Sequence, residues 1–207
     1  MTYWLIAINV AVFIAGFLAD LLSPGWLARL GQFSFDAAIS HLQIWRFITF
    51  QFLHATLMHI VFNMLTLYYF GAIVERYLGR ARYLAFYLFC GMAGAAAYLL
   101  LVAAHFVSPT TPLVGASAGI FGVLIAAATR VAPNVKVRLL IPPVTLKLQT
   151  LAWATVGLAV FSLLYGAEHP GGAMAHLGGA GLGYLLIQRP QLLNIFARWP
   201  RSRKRSR

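Results

Sequence analysis

Gly115-Ala116-Ser117-Ala118-Gly119-Ile120-Phe121-Gly122 sets a single hydroxyl among small residues near the start of an apolar run, Leu113 to Ala128. Taken alone, such a serine packs helices by its small size and its bond back to the helix. Its meaning depends on what the rest of the chain brings to the same depth. Working outward, 61% of the 207 residues are hydrophobic and only 10% are charged, against about 25% charged in an ordinary soluble domain. Mean hydropathy is +0.79. The chain reads as an all-α polytopic membrane protein, one membrane domain over residues 1–197 followed by a basic tail over 198–207.

Six apolar runs account for that domain, roughly 20 residues being enough to span a bilayer. They are Tyr3–Leu22, Phe52–Val74, Tyr83–Val107, Leu113–Ala128, Leu148–Tyr165 and Ala173–Ile187. A long first connection, residues 23–50, carries Trp26, Phe33, Phe35 and Trp45 with few charges, the composition of an interfacial segment. Met1-Thr2-Tyr3-Trp4 has no basic n-region, so the first run reads as a retained helix. The lone Cys90 can form no internal disulfide.

The net charge of +12 does not point to nucleic acid, because the basic residues follow a membrane topology. Fourteen of the sixteen Lys and Arg fall after runs two and four and in the tail; only Arg29 and Arg46 fall in the first connection, and none in 108–112 or 166–172. Lysine and arginine stay cytoplasmic, which puts both termini inside and gives the tail anionic lipid as its partner. An integral, multi-pass protein of a bacterial inner membrane is the expected setting.

In that topology runs two, four and six all descend from the outer face. Ser117 then lies about five residues into run four, His176 about four into run six, and His59 and Asn63 in the first half of run two. At 1.5 Å per residue the serine and histidine are expected roughly 6–8 Å below their helix starts. Polar side chains within spans are costly and gather at functional sites. His176-Leu177-Gly178-Gly179-Ala180-Gly181-Leu182-Gly183 strips its helix face of bulk, as does the serine helix, so the imidazole can come within reach of the hydroxyl. A nucleophile and base need that reach, and an oxyanion needs donors, for which His59, Asn63 and the Ser117 N–H are candidates. None of the four acids, Asp20, Asp36, Glu75 and Glu168, falls at the level of His176, which implies a Ser–His dyad.

The set resembles the rhomboid family of intramembrane serine proteases in its minimal six-helix form. The resemblance rests on Trp45-Arg46, His54…His59-x-x-x-Asn63, Glu75-Arg76, Gly115-Ala116-Ser117 and His176-x-x-Gly179-x-x-x-Gly183, in order over nearly the whole chain. It implies Ser117 as nucleophile, His176 as general base and acid, and His59 and Asn63 as oxyanion donors. It also implies Phe121, Gly179 and Gly183 packing the histidine, with Trp45, Arg46, His54, Glu75 and Gly115 as structural positions. No cofactor or metal is implied, and the substrate would be a single-span membrane protein cut near the outer end of its helix. The loop at 166–175, with run five, would cover the site. The family commonly has glycine directly after the serine; here Ala118-Gly119 reverses that order. The backbone N–H survives the exchange, so activity is expected to survive and the packing of the oxyanion pocket to change.

Other classes fit less well. A metalloprotease would need zinc ligands on one face, but His54 and His59 are five apart and no His-Glu-x-x-His occurs. A transporter would show an inverted repeat or paired broken helices. A non-catalytic rhomboid-like module that binds membrane clients is the closest rival, although such relatives usually lack the serine or the histidine.

Overall fold

The computed structural model describes residues 1–138, 143–165 and 170–197. Glu168, His169 and the tail over 198–207 lie outside the described residues, as does the start of the covering loop at 166–169. Apolar runs become helices because a chain in hydrocarbon must satisfy its backbone internally. Among the described residues, three helices are long and apolar enough to cross a membrane: Thr2–Asp20, Leu57–Leu78 and Arg80–Ala103.

The first of these is α1 (Thr2–Asp20). The connection after it is folded, with α2 (Trp26–Gly31), a π turn at Asp36–Ser40, α3 (Arg46–Thr49) and a 3-10 turn at Phe50–Phe52. The Leu57–Leu78 helix runs as α4 (Leu57–Thr66), a π turn (Leu67–Gly71) and α5 (Ala72–Leu78). It starts five residues later than the apolar run because Thr56, extended, caps it by accepting from His59 N. It ends at Gly79, whose φ of +79° suits a glycine. There α6 (Arg80–Ala103) begins at once.

The remaining apolar helices are α7 (Ser117–Ala126, prolonged by a π turn to Val131), α8 (Leu148–Leu164) and α9 (Pro170–Gln188). The chain is not purely α. The basic, proline-containing connection at 132–147 holds an antiparallel hairpin, β1 (Lys136–Arg138) with β2 (Thr145–Lys147), in register Lys136 to Lys147. Val137 and Leu146 alternate with polar neighbours, and Val137 packs on the core.

α7 is the central helix. It is apolar all round and eight of its ten residues are buried. α6 and α9 pack against it through small faces. A methyl on Gly179 would collide with the Ala118 carbonyl, and one on Gly183 with Gly122. By contrast α1 buries only Thr2, Leu5 and Asn9, and α8 only Leu148, Ala152 and Ala159. The site therefore sits in the densest part of the bundle.

Candidate active site

Ser117 is the first residue of α7, not five residues into it. The sequence expectation fails because residues 113–116 are held out of the helix by contacts that hydropathy does not register. Phe33 and Leu113 form an antiparallel bridge, their N–H groups donating to each other's carbonyls at 3.0 and 2.7 Å, and Gly115 N donates to Phe50 O at 2.9 Å. Gly115 has a φ of +124°, which a side chain would strain. A Cβ there would lie 2.7 Å from His59 Nε2 and 3.6 Å from Ser117 Oγ, so glycine leaves open the space that these two groups share.

A serine at a helix start has a chemical advantage. The first helical bond is Ile120 N to Ala116 O at 3.0 Å, and no side chain caps α7. The N–H groups of Ser117, Ala118 and Gly119 are thus without intrahelical partners and sit at the positive end of the helix dipole. Sequence reasoning foresaw one such donor and missed the cluster.

His176 is the seventh residue of α9, which starts at Pro170, so it lies about 9 Å along the helix. That is three residues deeper than the apolar run implied, because the helix starts at Pro170 and not at Ala173. His176 Nε2 lies 2.8 Å from Ser117 Oγ. The Phe121 ring stacks on the imidazole, with centroids 4.3 Å apart and planes 5° from parallel. Gly179 and Gly183, one and two turns beyond His176, let α9 approach α7 this closely. The methyl of Ala118, where the family pattern has glycine, is accommodated by Gly94 of α6, whose own Cβ would lie 2.5 Å from it.

His59 and Asn63 share a face of α4 one turn apart. Asn63 is buried, and its Nδ2 donor has no hydrogen-bond partner among the described residues. An unpaired buried amide costs about 1–3 kcal/mol, so its retention asks for a ligand. His54 packs edge-on to His59 at 5.0 Å.

The other motif residues sit away from this centre. Arg46 is buried and binds the first connection to itself, donating from Nε to Gln43 Oε1 at 2.6 Å, from Nη1 to Gln32 O at 2.5 Å and from Nη2 to Arg29 O at 2.7 Å. Trp45 beside it is half exposed. Glu75 accepts from Met1 N at 2.5 Å and Thr2 N at 2.7 Å, joining α5 to the start of α1. Asp20 accepts from Gly25 N, and Asp36 faces His41. Asp20, Asp36 and Glu75, the acids among the described residues, are thus occupied elsewhere, and the Phe121 face is what fixes the His176 ring.

Gln51 escaped the sequence reading. It is fully buried and donates to Phe47 O at 3.0 Å and Leu88 O at 3.3 Å, filling the space over Gly91. It pins to α6 the 3-10 turn whose Phe50 carbonyl holds Gly115. Its signal was a lone amide between Phe50 and Phe52.

The Rhomboid domain model matches residues 41–188. RHOMBOID-like protein 7 of Arabidopsis thaliana is 27% identical over 169 residues, 82% of this chain and 51% of that protein. Rhomboid protease GluP of Bacillus subtilis is 37% identical over 89 residues, 43% of this chain and 16% of that protein. Rhomboid protease GlpG of Yersinia pestis is 35% identical over 79 residues, 38% of this chain and 26% of that protein. The matched stretches span about half the length of these curated relatives or less.

Proposed function

The chain belongs to the rhomboid family, and on that premise we propose that it is an intramembrane serine endopeptidase acting through a Ser117–His176 dyad. The observation that carries this reading is the 2.8 Å contact between Ser117 Oγ and His176 Nε2, made between two helices. Two relatives named as rhomboid proteases support the peptidase class.

His176, in the tautomer with its proton on Nδ1, accepts the hydroxyl proton at Nε2 as Oγ attacks the scissile carbonyl. Phe121 keeps the ring plane from turning. The negative charge on the carbonyl oxygen is met by N–H donors at the start of α7 and by the Asn63 amide and His59. His176 then returns the proton to the leaving amine, and a water molecule, activated by the same nitrogen, releases the acyl group from Ser117. Water-excluding walls strengthen each of these interactions.

The proposed arrangement is six spans with both termini cytoplasmic, in a bacterial inner membrane, the tail over 198–207 resting on anionic lipid. The substrate class is a single-span membrane protein. Its helix must open locally near the outer end, since a helical peptide bond is closed to attack.

The test is cleavage of a model transmembrane substrate by purified protein in detergent. Wild type cleaves it, whereas Ser117→Ala and His176→Ala fall by roughly 10⁴-fold or more, as for other serine nucleophiles and bases. Equal cleavage by wild type and Ser117→Ala contradicts the proposal and returns the chain to a client-binding role.

A further inference from the structure

About 25 Å along the helix from His59, the opposite end of the bundle holds an open cleft between the start of α1 and the α5–α6 turn. Its walls include Tyr3, Ala72, Arg76, Gly79 and Arg80. Arg76 makes no hydrogen bond or ion pair among the described residues, and Arg80 only approaches Glu75 Oε1 at 4.0 Å with most of its side chain exposed. Glu75, the acid of this cleft, is already engaged by Met1 N and Thr2 N.

The charge order here is the reverse of what a helix favours. The first turn of α6 carries Arg80 and Arg82, with no acid and no side-chain cap, where the helix dipole calls for negative charge. Arg82 turns away to Leu78 O and Asn194 Oδ1, which leaves Arg76 and Arg80, among the described residues, as the two guanidinium groups lining the cleft. Guanidinium suits phosphate oxygens, which it can meet in bidentate fashion. The cleft opens beside Tyr3 and Trp4, both more than 60% exposed, the residue types that sit at a headgroup boundary.

We propose that this cleft binds the phosphate of an anionic phospholipid in the adjoining leaflet, held by Arg76 and Arg80, with the acyl chains along the exposed face of α1. The site does not depend on the catalytic reading. It also differs from general attraction by a basic surface, because it assigns the affinity to two named residues. The hairpin supplies the control: Lys136, Arg138 and Lys147 are exposed basic residues outside the cleft.

The test titrates the full chain in neutral detergent with phosphatidylglycerol, phosphatidylcholine or inorganic phosphate, reading lipid adducts by native mass spectrometry. Wild type should bind phosphatidylglycerol selectively. Arg76→Gln/Arg80→Gln should bind it roughly 30-fold more weakly, about 1 kcal/mol for each basic residue. Arg138→Gln/Lys147→Gln should match wild type, and each single arginine variant should fall between, which keeps the test decisive if the double variant does not fold. Unchanged affinity in the single and double arginine variants, or an equal loss in the hairpin variant, overturns the proposal. Displacement of the lipid by millimolar phosphate overturns the assignment to lipid.

Discussion

The seam where α6, α7 and α9 meet differs sharply from the rim formed by α1 and α8. At the seam, glycines and alanines bring backbones so close that a single methyl meets a carbonyl, as Gly179 would meet Ala118. At the rim, α1 has 17% of its membrane-length window buried against 56% for α6, and a Cβ on Gly157 of α8 would meet nothing within 4 Å among the described residues. Without a hydrophobic force between helices in lipid, close packing has to supply both stability and precision. On the proposed reading the seam is where the chemistry belongs, because there the 2.8 Å contact between Ser117 and His176 is held from both sides by rigid elements.

That contrast can be broken by substitution. The largest effect is expected from Gly179→Val, whose side chain would drive α9 from α7 and separate Ser117 from His176. Misplacing catalytic groups by about 1 Å costs roughly 10²-fold in rate; together with overpacking, cleavage should disappear and the unfolding temperature should fall. A Gly179→Val protein with wild-type cleavage would mean that the seam is more pliable than its contacts imply.

Asn63→Ala separates function from stability. Oxyanion donors are worth about 2.7–4 kcal/mol of barrier, a loss of roughly 10²–10³ in kcat. Because Nδ2 is buried and unpaired, its removal should leave thermal stability unchanged or slightly higher. Parallel loss of stability and activity would instead make Asn63 a packing residue. Phe121→Leu comes next, keeping bulk but losing the flat face on His176. Its kcat should drop by about tenfold, roughly 1.4 kcal/mol of barrier, with little change in KM; a change confined to KM would remove Phe121 from ring positioning. Smallest is Gly157→Ala at the rim, which should raise stability by about 0.5 kcal/mol and leave cleavage untouched.

Much of this was legible in the sequence because hydrophobic runs and rare polar residues are local signals. The runs marked the helices, and Ser117, His176, His59 and Asn63 stood out because polar groups are scarce there. What hid was set by contacts distant in sequence. Ser117 starts its helix because Leu113 pairs with Phe33 and Gly115 with Phe50, and no property of residues 113–128 announces that. The hairpin at 136–147 escaped because three-residue strands give too short a period to read. Gln51 and the carbonyls around Arg46 needed the folded first connection before their partners existed.

The most direct measurement is the rate at which a fluorophosphonate labels the protein, with the modified residue identified by peptide mapping. An activated hydroxyl needs no substrate to reveal itself. The account predicts one label per chain, on Ser117, formed at a rate that collapses in His176→Ala. Labelling of Ser117 at the same rate without His176, or labelling that persists in Ser117→Ala, would contradict it.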